Sequence, residues 1–400
     1  MTARLELDPT RLARLDKHFA RYVDDGRLAG WHLALTRPEA TVHDASYGWR
    51  DREAGLPVES DTLWRIASMT KPITSVAAMT LWEEGAFELS DPISKWIPEF
   101  ADARVYVRGH DRTAVTVPTS EPIRVWHLLS HTSGLTAGFM HGSYVDELYR
   151  EAGYEYAAPP GRTSIADCVA DWARLPLLFE PGTRWGYGVS TDVLGRLVEI
   201  WSGQSLDVAF RNRVLDPLGM VDTVWWCDDS RRDRLAALYL PDAAGKAERT
   251  PWGDAVVQQP SILSGGGGLL STMDDYLRFC RMLLQRGSLD GVRVLSPRTL
   301  ELMRTNHLGG DLGALSTGGF AETSFEGVGF GLGFAVLLDP AKQHSPASAG
   351  EYYWGGMAST AFWVDPVQEL ACVFMTQLMP SSTHPIRSQL RQLVHSSLVD

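Results

Sequence analysis

Two residue types that together can cut an acyl bond stand one helical turn apart early in the chain. Ser68 and Lys71 lie in RIASMTKPITSVAAMTLWEEG, residues 65–85, and Lys71 is one of only five lysines in 400 residues. Pro72 follows at once. Proline is tolerated in the first turn of a helix, where its missing N–H has no partner to lose. The proline therefore predicts a helix starting near Ser68, with Ser68 and Lys71 on one side of it. A serine at that end meets free backbone N–H groups, which favour a developing negative charge. A hydroxyl is a weak nucleophile until a base takes its proton, and a lysine in a desolvated site can do so. That is Ser-Lys catalysis, a variant of the serine triad. On these four residues alone, a serine cap followed by a surface lysine is the commoner outcome.

Two distant stretches strengthen the chemical reading. EPGTRWGYGVSTDVLGRLVE carries Tyr187 in a glycine-flanked loop just before a helical pattern. A phenol near cations can accept and return the serine proton. Taken singly, a core or interface tyrosine would be the better reading. EYYWGGMAST sets Trp354, Gly355 and Gly356 immediately before a strand pattern. Two glycines allow backbone to approach a ligand, although a simple bulge would use them too.

The elements that must hold these residues are legible in outline. Leu12, Leu15, Phe19 and Val23 recur at helical spacing. Residues 30–37 and 41–51 read as a hairpin turning at Pro38. Helices are expected over 72–84, 123–129, 164–174, 191–203, 206–214 and 272–286, the last capped by Ser271 or Thr272 with aspartates in its first turn. Strand character returns at 329–339, 359–366 and 369–377, before a closing helix. Strands at both ends and helices between them predict an α+β chain. Its antiparallel sheet, built from 1–70 and 290–400, is flanked by helices, a mainly helical 71–289 region is inserted, and the active site lies between the two parts.

Composition removes other classes. The net charge of −12 and the absence of a basic stripe argue against a nucleic-acid partner; SRRDR at 230–234 is diluted by Asp228, Asp229 and Asp233. Cys168, Cys227, Cys280 and Cys372 lie far apart, which predicts neither a zinc site nor a disulfide framework. The N-terminus lacks an apolar signal core, and no apolar run reaches the roughly 18 residues of a membrane span. A cytoplasmic protein with no membrane partner is expected. There is no G-x-S-x-G elbow. SGGGGLL at 264–270 lacks the lysine and spacing of a phosphate loop. Glu83–Glu84 and Asp274–Asp275 are adjacent and point apart on a helix, so no glycosidase pair is formed. His131 in LLSHTSGL is read as a buried, satisfied histidine on the cleft wall.

Taken in order, the three motifs resemble the class C β-lactamase and penicillin-binding-protein-like serine hydrolase superfamily, most closely the family VIII carboxylesterases. The resemblance spans nearly the whole chain, including IRVWHLLSHTSGL, RVLDPLGMVDT and GGGGLLSTMDDYLRF. It implies a β-lactamase/transpeptidase-like fold, with Ser68 as nucleophile, Lys71 as its base partner and Tyr187 as shared general base and acid. It also implies an oxyanion hole from the backbone N–H groups of Ser68 and Met357. No metal or organic cofactor is implied. The chain departs from the β-lactamase pattern twice. Trp354-Gly355-Gly356 stands where K-T-G is usual, and Tyr187-Gly188-Val189 where Y-x-N is usual. An indole in place of a lysine, and an aliphatic Val189 in place of an amide, favour neutral, apolar groups over a lactam carboxylate. The expectation is a carboxylesterase acting on a small-molecule ester of short to medium acyl chain. The alternatives are an acyltransferase using the same acyl-enzyme, a β-lactamase, D-amino-acid peptidase or amidase, or a silent binding protein on this scaffold. Residues 138–164 and 308–329 are expected to line the cleft as loops. Oligomeric state is left open.

Overall fold

The computed structural model describes residues 4–156, 158–318 and 324–400. Its centre is an eight-stranded sheet in which every neighbouring pair is antiparallel. The strands are β1 (Gly30–Thr36), β2 (Thr41–Asp51), β3 (Leu56–Pro57), β4 (Val328–Phe330), β5 (Ala335–Leu337), β6 (Tyr352–Gly355), β7 (Ala361–Asp365) and β8 (Leu370–Met375). Their spatial order is β4-β5-β6-β7-β8-β1-β2-β3, so the N-terminal hairpin docks beside β8, the sheet's last strand in chain order. The sheet thus joins the two ends of the sequence, as the α+β reading required.

Strand β8 is buried on both faces, and its alternation sorts the core into two layers. Leu370, Cys372 and Phe374 join a cluster with Leu15, Phe19, Leu390 and Val394. These come from helices α1 (Pro9–Asp24) and α5 (Ile386–His395). Asp8 caps α1, accepting the Thr10 N–H at 2.7 Å, and Pro9 occupies its first turn. Ala371, Val373 and Met375 belong to the larger cluster on the other face. There α4 (Met273–Leu284), capped by Thr272, sets Tyr276 edge-on to Phe362, with ring centroids 5.2 Å apart. Two further helices belong to that layer: α2 (Thr70–Glu83), almost wholly buried, and α3 (Ser190–Ser202), packed beside it. A helix apolar around most of its circumference is a core helix.

Several elements differ from the sequence expectation. The strand expected at 329–339 is the hairpin β4–β5, reversing at residues 331–334. Gly331 packs too close to the Met303 carbonyl for a Cβ, and Gly333 has φ +104°. Trp354 and Gly355 are not a prelude to a strand; they end β6 itself. The expected 206–214 helix is α-helical over Leu206–Phe210 and continues as a π turn over Arg211–Leu215. Within 138–164 lies a helix, Tyr144–Glu151, capped by Ser143. Two small hairpins, Arg104–Arg108 with Val115–Pro118 and Tyr239–Pro241 with Ala247–Arg249, were not anticipated. Part of 308–329 lies outside the described residues. All four cysteines are free and buried. Among the described residues, no helix is long and apolar enough to cross a membrane.

One buried ion pair ties α5 to the edge of β6. Glu351, fully buried, accepts Arg391 Nε at 2.7 Å and lies 2.9 Å from His395 Nε2. Burial pushes its carboxyl up, but Arg391 and His395 outweigh that and hold it below the ordinary value. Removing one partner of such a pair strands the other charge in the core. Glu351→Gln is therefore expected to cost about 3–5 kcal/mol in a urea unfolding series.

Candidate active site

The site forms where α2 and α3 begin side by side. Trp64–Arg65 pairs with Leu270–Ser271 and delivers the chain to Ala67, whose φ is +44°. A non-glycine residue in that region is strained and persists only where packing holds it. The bend turns the chain into one 3-10 turn, Ala67–Met69, which runs directly into α2. Ser68 therefore sits at the head of a buried helix, as Pro72 predicted. Thr70 and Thr74, one helical turn apart, fix that head to the glycine run. Thr70 Oγ1 accepts the Leu269 N–H at 3.1 Å, and Thr74 Oγ1 donates to Gly265 O at 2.6 Å.

The three sequence-predicted polar residues converge. Tyr187 OH donates to Ser68 Oγ at 2.6 Å, and Lys71 Nζ donates to the same oxygen at 3.3 Å. Lys71 is 6% exposed and Tyr187 4%. Lys71 Nζ also lies 4.5 Å from the centroid of the Tyr187 ring, a cation–π distance. Its shortest bond is to the Gly266 carbonyl, at 2.6 Å. That carbonyl is the functional group the sequence reading missed, because the glycine run was judged only as a phosphate loop. Asp192 on α3 holds the run in place, accepting the Gly266 N–H at 3.0 Å and the Ser264 hydroxyl at 2.6 Å. A Cβ on Gly266 would collide with the Asp192 carboxylate.

Tyr187 is set by its flanking glycines. A Cβ on Gly188 would lie 2.5 Å from the Thr136 backbone, and one on Gly186 2.7 Å from the Phe179 ring. The phenol ring packs against His131 (centroids 5.2 Å apart) and Trp354 (5.6 Å). His131 is buried, as expected, but only partly satisfied: Nε2 is 3.4 Å from Thr191 Oγ1, while Nδ1 has no hydrogen-bond partner. Burial, with the Lys71 charge adding to it, drives its pKa well below the ordinary value. A neutral imidazole here is a wall beside the phenol.

Two cavities meet at Ser68. The larger, about 680 Å³, is lined by Lys71, Val189, Phe139, Ile165 and Trp172, and by Ser68 and Met357. The smaller, about 300 Å³, is lined by Tyr187, Trp354, Gly355, Gly356 and Arg387, and shares Ser68, Phe139, Tyr156 and Met357 with the first. Val189 and the Trp354-Gly355-Gly356 stretch thus border different cavities. Trp354, 7% exposed, is mostly packed against Tyr187 and Phe330. Phe139, Tyr154 and Pro159 fulfil the expectation that 138–164 lines the cleft, and Phe325 does so for 308–329. Gly356 explains itself sterically: a Cβ there would run into the Thr360 hydroxyl and the Ile66 carbonyl, two residues before Ser68. Among the described residues, Glu351, Asp365 and His395 form the one cluster able to hold a metal ion, and it lies in the Arg391 ion-pair network under α5.

The Beta-lactamase family model matches residues 15–396. Protein Rv1367c of Mycobacterium tuberculosis is 38% identical over 361 residues, 89% of this chain and 88% of that protein. Esterase EstB of Burkholderia gladioli is 32% identical over 428 residues, 99% of this chain and all of its own length. Among solved structures, "EstCE1, a hydrolase with promiscuous acyltransferase activity" superposes with a TM-score of 0.82 at 28% identity, covering 96% of this chain and 99% of its own.

The Tyr187 loop rests on a second neutral histidine. Gly182 packs against His127, whose Nδ1 accepts the Arg124 N–H at 3.0 Å. Burial, then the Arg124 charge, lowers its pKa to about 4. The unfolded imidazole takes a proton near 6.5 and the folded one does not, so acid favours unfolding between those values. Wild type should therefore lose stability relative to His127→Asn as pH falls from 7 to 4, read as a narrowing gap in urea midpoints. A gap that stays constant across that range would remove His127 as the cause.

Proposed function

The chain belongs to the Beta-lactamase family and is a serine hydrolase, and from that premise we propose that it cleaves carboxylic esters through a Ser68 acyl-enzyme. The observation that carries the reading is the contact of Tyr187 OH with Ser68 Oγ at 2.6 Å beside buried Lys71. Ser68 Oγ attacks the ester carbonyl as its proton passes to the Tyr187 oxygen, which acts as a phenolate beside the Lys71 cation. The carbonyl oxygen becomes an oxyanion received by the N–H groups of Ser68 and Met357, at the head of α2. As the tetrahedral intermediate collapses, the C–O bond to the alcohol breaks and Tyr187 returns the proton to the leaving oxygen. Water then attacks the acyl-enzyme by the same route, releases the acid and reprotonates Ser68.

The two cavities give the halves of the ester separate places. Tyr187 borders only the smaller one and Lys71 only the larger. The leaving alcohol departs toward its proton donor, so it occupies the smaller cavity beside Trp354. The acyl chain then lies in the larger cavity, against Val189, Ile165 and Trp172. That volume accepts medium acyl chains as well as short ones. Acyl transfer to an alcohol is the second reading. The smaller cavity empties when the first alcohol leaves, and the solved relative EstCE1 is described as having promiscuous acyltransferase activity.

p-Nitrophenyl acetate, butyrate and octanoate test the proposal. Ser68→Ala should fall to the rate of buffer, and Tyr187→Phe should lose about 10²–10⁴ in kcat. A wild type no faster than Ser68→Ala on every ester would end the reading, and nitrocefin turnover rivalling the ester rate would overturn the role given to Trp354. The division of the cleft has its own check. Val189→Phe should lower kcat/KM for octanoate at least about tenfold relative to acetate, since a single methylene of lost fit is worth about that much. An equal loss on all chain lengths would place the acyl group elsewhere.

A further inference from the structure

The peptide that ends β6 is gripped from behind. Arg387, in the first turn of α5, donates from one guanidinium nitrogen, Nη2, to two carbonyls: Gly356 O at 2.7 Å and Thr360 O at 3.2 Å. These carbonyls bracket the tight turn of residues 356–360. Within it, the Gly356 N–H donates to Thr360 O at 2.9 Å and the Ser359 N–H to Gly356 O at 3.1 Å. Ser359 holds φ +67°, a strained value for a serine. Gly355 leaves room for this grip: a Cβ there would lie 2.5 Å from Arg387 Nη2.

The Gly356 carbonyl and the Met357 N–H belong to one peptide unit. The unit is trans, since the single cis bond among the described residues is Met379–Pro380. In a planar trans peptide, the C=O and N–H point in opposite directions. A guanidinium that holds the Gly356 oxygen therefore turns the Met357 N–H away from itself, and Met357 borders both cavities together with Ser68. Among the described residues, the Met357 N–H donates to no backbone carbonyl. A cation on the carbonyl also polarises the unit and makes its N–H a stronger donor.

We propose that Arg387 is a positioning residue for ester cleavage: it fixes and polarises the Gly356–Met357 peptide so that the Met357 N–H is held ready for the oxyanion. The inference rests on the ester reading above and adds a residue from the C-terminal helix to its machinery. Preorganised donors act on the transition state and leave the bound ester unaffected, so the effect belongs in kcat.

The test uses full-length protein, neutral p-nitrophenyl butyrate and an aryl trifluoromethyl ketone, whose serine adduct carries an oxyanion. Arg387→Gln should lower kcat/KM about 10- to 100-fold with KM near wild type. It should weaken the ketone by a similar factor and leave ester binding to a Ser68→Ala background unchanged. Guanidinium added to Arg387→Ala should restore part of the lost rate. A structural role alone would not move ketone affinity and kcat together while sparing ester binding. The inference is overturned if the loss lies in KM, if it is confined to esters whose alcohol carries a carboxylate, or if both rate and ketone affinity stay within twofold of wild type. Should Arg387→Gln melt below the assay temperature, Arg387→Lys carries the test. A smaller loss of the same form is then expected, and unchanged ketone affinity with a lowered rate overturns the idea. Wild type no faster than Ser68→Ala overturns this inference together with the ester reading; an active wild type with an equally active Arg387→Gln overturns this inference alone.

Discussion

A lysine taken out of water must be met by oxygen, and much of this structure follows from meeting Lys71. Its ammonium is almost wholly buried and bonds the Gly266 carbonyl and Ser68 Oγ. An unmatched buried cation would cost several kcal/mol. The glycine run exists to bring that carbonyl close, since side chains at Gly265 and Gly266 would collide with α3. Asp192 fixes the run from α3, and Thr70 and Thr74 fix it from α2. The two helices that begin just after Ser68 and Tyr187 are thus locked together by the group that answers the lysine. Charge burial sets the helix packing, and the helix packing sets the 2.6 Å contact of Tyr187 with Ser68.

Three of the nine non-glycine residues with positive φ among the described residues lie around the same point. Ala67, His131 and Ser359 all hold positive φ without being glycine. Each lies in a wall of the site: one before Ser68, one against the Tyr187 ring, one in the turn that carries Met357. Such residues cost of order 1–3 kcal/mol each and need a surround that over-determines them. The surround here is a core helix buried on nearly all sides, the end of β6 and the Arg387 grip. The rigid parts bear the cost, and the cleft they frame is lined by segments such as 138–164, whose aromatic residues shape the cavities.

Legibility in the sequence followed the range of the interactions. Strands β1, β2, β7 and β8, and helices α1 to α5, read true because local apolar periodicity and capping residues such as Asp8 and Thr272 act within one or two turns. The β4–β5 reversal was missed because its cause is remote: Met303 and Ser75 leave no space beside Gly331 and Gly333. The Tyr144–Glu151 helix was hidden in a glycine- and aromatic-rich context, although Ser143 with Asp146 is a capping box that could have been read. The glycine run could have been questioned too, since four glycines beside a strand and a helix need a reason other than phosphate.

The sequence by itself determined the chemistry on offer. Serine, lysine and proline at fixed spacing set a hydroxyl and an amine at a helix head, and Tyr187 with its glycines supplied a phenol in a constrained loop. Those are short-range facts, written in neighbouring residues. Tertiary structure alone decided which groups face one another. It set Gly266 against Lys71, divided the cleft so that Val189 and Trp354 border different cavities, and brought Arg387, 31 residues on, behind the Gly356 carbonyl. Contacts of that kind join segments that no local pattern relates, because steric fit and the pairing of buried charge are satisfied only once the sheet has closed the two ends of the chain together.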